Sequence, residues 1–238
     1  MAVYDIEEQE KLEDLKAFSQ RWGTLISGAV IAICIAYIGV QGWRWWQHRQ
    51  AEEASVLYGA VAGAVRGADL PKARDAMGQL AGRFAGTGYA PRGALLYAKM
   101  LWDNGDKAGA RTQLSWVIEN SREDELKAVA RYRLAEALLD DKQYDQALAT
   151  LDAKHPDAFA GLFADLRGDA LASAGRAVEA KAAYQAALAK LDTKSPYRNY
   201  VQVKLDALGG DAAPTGGAAA PAAPAAPAVP AAPGAPAK

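Results

Sequence analysis

The chain has 238 residues, with 27 basic and 28 acidic side chains, two histidines and a formal net charge of -1. A near-neutral chain without a basic run lacks the electrostatic footprint of a nucleic-acid binder, and the single cysteine, Cys34, excludes an intramolecular disulfide. Hydrophobic residues make up 51% of the chain, enough for a membrane segment and one sizeable globular core.

Residues 1–21 form an acidic leader. Leu12, Leu15 and Phe18 recur at helical spacing among Glu10, Glu13, Asp14 and Lys16. The pattern fits an amphipathic helix lying against a membrane or a solvated extension of the next segment, and both readings stay open.

Residues 22–43 carry no charge. As a helix this stretch spans roughly 33 Å, which matches a hydrocarbon core of about 30 Å. Trp22 marks one end. Trp43, Trp45 and Trp46, with Arg44, His48 and Arg49, mark the other, as an interfacial belt does. A cleaved signal peptide would have a basic start, a shorter apolar run and a small-residue cleavage site. An acidic leader and a bulky Trp-Arg-Trp-Trp stand there instead, so residues 22–46 read as an uncleaved anchor. Lys11, Lys16 and Arg21 precede it and Arg44 and Arg49 follow, a slight bias toward a cytoplasmic N-terminus.

Residues 47–210 read as one all-α domain. The stretch from Gln47 to Val65 has no breaker, so the anchor helix is expected to run into it. Asp69-Leu70-Pro71 and Asn104-Gly105-Asp106 supply N-caps, and Ser121 to Asp124 fits a capping box. Further breaks fall at Tyr89-Ala90-Pro91, Asp140 to Lys142, His155-Pro156, Ala174 to Arg176 and Ser195-Pro196. The helices come in similar pairs. Ala98, Ala135 and Gly168 are followed at fixed offsets by Leu101, Leu138 and Leu171, then Ala110, Ala147 and Ala180, then Leu114, Leu151 and Tyr184. Small residues let paired helices approach and large ones fill the groove beside them. This is the pattern of tetratricopeptide repeats, whose unit is about 34 residues. A degenerate half-repeat is expected over Val56 to Phe84, and a closing helix over Tyr197 to Leu208. Residues 211–238 are an Ala/Pro tail with proline at every third position from Pro221 to Pro236, read as a disordered spacer.

No catalytic, cofactor or metal constellation stands out. His48 belongs to the belt, His155 precedes a proline, and Gly82 to Gly88 lacks the strand and the Lys-Ser/Thr of a phosphate loop. The expectation is a tethered binding module, not an enzyme. If the first helix of each pair lines a concave face, its candidate protein-binding residues are Arg92, Leu95, Lys99 and Trp102, then Tyr132 and Glu136, then Asp165 and Asp169. For Trp102 and Tyr132, a place in the core is an equal alternative.

Five stretches carry a family resemblance: Leu15 to Gly23 (LKAFSQRWG), Gly42 to Trp46 (GWRWW), Ala54 to Tyr58 (ASVLY), Leu126 to Ala135 (LKAVARYRLA) and Ala164 to Leu171 (ADLRGDAL). Together they make the chain resemble the YfgM family, the ancillary subunit of the bacterial SecYEG translocon. The resemblance implies a single-pass protein of the bacterial inner membrane, with a cytoplasmic N-terminus and a periplasmic repeat domain. The partners it implies are the translocon, the PpiD-like periplasmic chaperone and translocating polypeptides. Read from the residues alone, a scaffold for another envelope complex, such as division or outer-membrane assembly, and a cytoplasmic adaptor remain alternatives.

Overall fold

The computed structural model describes the backbone of residues 4–209 and the side chains of residues 27–209; the Ala/Pro tail and the side chains of the leader and of Trp22 lie outside these. Among the described residues nine α-helices follow one another: α1 (Tyr4–Arg66), α2 (Leu70–Phe84), α3 (Tyr89–Asp103), α4 (Lys107–Asn120), α5 (Asp124–Asp140), α6 (Tyr144–Leu151), α7 (Ala160–Ser173), α8 (Ala177–Lys190) and α9 (Tyr197–Gly209). A 3-10 turn, Asp157–Phe159, precedes α7. The described residues contain no strand.

Helix α1 is unbroken for 63 residues and joins the apolar segment directly to the repeats. Its apolar part is covered by nothing else in the described chain. Ile33, Ile35, Tyr37 and Ile38 are each more than 60% exposed. From Ala54 onward the same helix turns into core, with Ala54 and Val61 fully buried against α2 and α3.

The expected half-repeat over Val56 to Phe84 is a full helix pair, its first member being the end of α1. Four pairs result: α1 end with α2, α3 with α4, α5 with α6, and α7 with α8. Each pair is closed by the same turn. Ala68, Gly105, Lys142 and Gly175 take positive φ of 53, 83, 58 and 77°. The amide of the following residue (Asp69, Asp106, Gln143, Arg176) then donates back to the carbonyl of Ala64, Leu101, Leu138 or Leu171 at 2.8–2.9 Å. This left-handed C-cap closes a helix sharply enough for an antiparallel partner to follow. Two of the four turns use glycine, which adopts that conformation without strain.

The expected N-caps form at Asp69, which accepts from the Lys72 amide at 3.1 Å, and at Asp106, which accepts from Gly109 at 2.8 Å. The capping box does not. Ser121 ends α4, its hydroxyl accepts from the Glu123 amide two residues on at 3.1 Å, and α5 starts only at Asp124. The short local bond competes with the longer reciprocal one.

The small-and-large register appears as packing. Ala98, Ala135, Ala110, Ala147 and Ala180 are all at most 2% exposed. At Gly168 even a methyl group would collide with the Tyr184 ring, so close approach demands glycine there. Each helix packs only on its neighbours: α1, α3, α5 and α7 lie side by side, and each return helix wedges between two of them. This is a stack of short-range contacts, as in a solenoid.

Candidate protein-binding surface

The candidate residues lie on α3, α5 and α7, and their surroundings differ from one helix to the next. On α3, Arg92 makes a bidentate pair with Glu123 of the α4–α5 connection, both bonds 2.7 Å, and also donates to the Gly88 carbonyl at 2.6 Å. The Glu123 hydrogen bonds hold its guanidinium above the usual arginine pKa. Leu95 is only 2% exposed and belongs to the apolar core, so it presents no side chain to a partner in this structure. Lys99 is exposed and pairs with Asp103 at 2.6 Å. Trp102 is half-buried, with the Lys107 ammonium 4.9 Å from its ring.

On α5, Tyr132 packs on Phe163 with ring centroids 6.1 Å apart, and burial raises its hydroxyl pKa first of all. Phe163 in turn stacks on His155 at 4.2 Å and meets Phe159 edge-on. This aromatic cluster fills the space beside α6, which has only eight residues. Glu136 is half-buried one turn above Tyr132, and burial pushes its carboxyl up to about 7.

At α7 the inner face is occupied by the chain itself. Asp165 is 1% exposed and accepts the Tyr197 hydroxyl at 2.5 Å and the Lys204 ammonium at 3.0 and 3.1 Å. Asp169 accepts from Lys204 at 2.7 Å and from the Tyr184 hydroxyl at 2.8 Å. Burial pushes Asp169 up, with Lys204 opposing. Burial alone would lower Lys204, but the carboxylates of Asp169 and Asp165 outweigh it and hold the ammonium above the usual lysine value. The Tyr200 ring lies 4.5 Å from the same ammonium. Both acidic candidates are thus paired with Lys204 of α9, whereas Lys99 is exposed and Arg92, Trp102, Tyr132 and Glu136 are half-buried.

The α9 partners were not among the expected site residues. The repeat spacing does contain a signal for them: 33 residues separate Ala135 from Gly168, and 33 more lead to Val201, fully buried at the matching position. Helix α9 therefore stands at the first-helix position of a fifth unit, which places Lys204 against α7.

Of the belt residues, Trp43 and Trp46 lie 5.3 Å apart and the Arg49 guanidinium 5.4 Å from the Trp45 ring. Trp43, Trp45 and Trp46 are 49–63% exposed, as side chains awaiting an interfacial environment are. Among the described residues no group of three or more His, Cys, Asp or Glu is placed to hold a metal ion.

A profile of the family described as "Tetratricopeptide repeat-like domain" matches residues 16–210. Three curated relatives, each named "Ancillary SecYEG translocon subunit", align over most of their lengths. That of Neisseria gonorrhoeae is 31% identical over 85% of this chain and 98% of its own. The Escherichia coli protein is 32% identical over 87% and 99%, and the Haemophilus influenzae protein 28% over 78% and 90%. A solved structure, MamA 41-end from Desulfovibrio magneticus RS-1, superposes with a TM-score of 0.49 at 20% identity, over 67% of this chain and 91% of that one.

Proposed function

Because this chain belongs to the family of ancillary SecYEG translocon subunits, with its tetratricopeptide repeat-like domain, we propose that it is a membrane-tethered, non-catalytic protein-binding subunit of the Sec translocon. Residues 1–21 lie in the cytoplasm, residues 22–46 cross the inner membrane, residues 47–210 form a periplasmic repeat domain, and residues 211–238 extend from it. The repeat face that includes Arg92, Lys99, Trp102, Tyr132 and Glu136 receives a PpiD-like chaperone or a polypeptide leaving the channel.

The observation that carries this reading is the continuity of α1, an uncovered apolar helix that becomes the first repeat without a loop. A binding face held within tens of ångströms of a channel exit gains effective concentration from its tether, so weak contacts suffice. A half-buried face mixing aromatic and charged side chains, with its two aspartates already paired, suits transient engagement of varied sequences better than one fixed ligand.

The test is site-specific photocrosslinking in cells. A photoreactive residue at Lys99 or Trp102 is expected to yield adducts with the chaperone, an emerging chain or the channel's periplasmic side. Capture of division or outer-membrane assembly factors alone would replace the translocon reading with that of an envelope scaffold. Protease added to intact spheroplasts should digest the repeats and spare a small membrane fragment; protection until lysis would place the repeats in the cytoplasm.

A further inference from the structure

Helix α1 carries a fixed rotational relation between the anchor and the repeats. Ala54 is fully buried and faces α2 and α3, as do Val61 and Ala64 farther along. Val56, on the other side of the helix, is 73% exposed, in line with exposed Gly59, Ala60 and Gly63. At 3.6 residues per turn, Ala36 lies about five whole turns below Ala54 and Ile38 about five below Val56. Ala36 therefore marks the anchor face under the repeats, and Ile38 the face turned away from them.

The helix between these levels contains no proline and no residue of positive φ. From Trp46 to Ala54 it rises about 12 Å, clearing the headgroup layer. The antiparallel order then sets the rim nearest the membrane. It consists of the connections that follow α2, α4, α6 and α8, and the ion pair of Arg83 with Glu53 at 3.4 Å ties the first of them to α1. Successive helices stack sideways from α1, each step adding about 8–10 Å.

We propose that α1 is a rigid mast that fixes the azimuth of the repeat arm about the anchor, so that the arm overhangs the membrane on the Ala36 side only and its binding face serves a membrane partner standing on that side. The placement of residues 22–46 in the bilayer, and the identity of that partner, rest on the function proposed above; the mast itself does not.

The test uses the full chain with Cys34→Ala, in nanodiscs of phosphatidylethanolamine and phosphatidylglycerol. A spin label at Val203→Cys, exposed on α9, is paired with one at Ala36→Cys or Ile38→Cys. Pulsed dipolar spectroscopy is expected to give two narrow distance distributions, the Ala36 pair shorter by several ångströms, up to about one helix diameter of 10 Å. Two alanines inserted between His48 and Arg49, both exposed, turn the arm by about 200° and should reverse that order. Seven residues inserted there turn it by about 700°, nearly two full circles, and should restore it. Broad overlapping distributions, or an order indifferent to the two-residue insertion, would overturn the mast. Crosslinking from Trp102 in the same insertion series separates the two ideas. A reversed distance order with unchanged translocon adducts overturns the one-sided partner and leaves the mast standing. Loss of adducts at two residues and recovery at seven supports both.

Discussion

The two ends of the repeat domain are closed in opposite ways. At the entry, the end of α1 is sealed by apolar contact: Ala54, Val61, Met77, Leu80 and Phe84 are all at most 3% exposed in one cluster that continues into α3 and α4. At the exit, Val201 supplies an apolar contact, but the inner side of α9 is held by Tyr197 on Asp165 and by Lys204 on Asp165 and Asp169. An end continuous with a membrane helix needs no specificity device, because covalent connection already fixes what packs there. An end closed by a helix on a six-residue connection gains register from a directional polar clasp, at the cost of desolvating charge.

The largest effect that would sharpen this contrast is expected from Lys204→Met. It strands the buried carboxylate of Asp165 and the half-buried one of Asp169 and should destabilise the exit by about 3–5 kcal/mol, read as loss of hydrogen-exchange protection in α9 and α7 of the full chain in nanodiscs. The loss should shrink as pH falls, because burial holds the Asp169 carboxyl above its ordinary value and its protonation removes a charge that needs the cation. At the entry, Leu80→Ala should cost about 3 kcal/mol by leaving a cavity, with no such pH dependence. Equal pH profiles for the two variants would erase the distinction between the ends.

Between the ends, Glu136 provides a milder probe. Its folded pKa of about 7 lies above the ordinary 4.5, so the folded state binds the extra proton. Stability from this residue is fully present below pH 4.5 and is lost as pH rises through 7. Glu136→Gln should therefore melt higher than the parent above pH 7, by the equivalent of about 1–2 kcal/mol after allowance for partial solvation, and the two curves should converge near pH 4.5. The smallest expected change is at the turns. Lys142→Gly relieves a left-handed backbone at φ 58° and should stabilise by about 1 kcal/mol, visible as a small rise in chemical denaturation midpoint. No gain would mean that the Lys142 turn relaxes in solution.

What could be read from the sequence was what is local or periodic. Asp69 and Asp106 announced their caps, and the recurring Ala98, Ala135 and Gly168 announced the helix pairing. Two turns were harder to read because Ala68 and Lys142 stand where glycine signals the same geometry at Gly105 and Gly175. Ser121 misled because a hydroxyl three residues before an acid fits a capping box whether or not a nearer amide takes it. The first pair was underestimated because Val61 and Ala64 reverse the small-then-large order at its crossing. The inner face was legible as a set of positions but not in its occupancy. Nothing local in Asp165 or Asp169 reveals that a lysine 35 to 39 residues later pairs with both.

The nearest-neighbour stacking of helices also bears on how the chain reaches this state. Each pair packs on the pair before it, and the main helix contacts join elements one or two apart in chain order. A nascent chain delivered N-terminus first can lay each repeat onto an already ordered predecessor, starting from a helix that the membrane holds straight. Such vectorial assembly avoids the wait for distant segments that slows high-contact-order folds and exposes them to aggregation. Asp165 and Asp169 receive Lys204, and the apolar side of α8 receives Val201, when α9 docks, so that docking is the late step of assembly among the described residues.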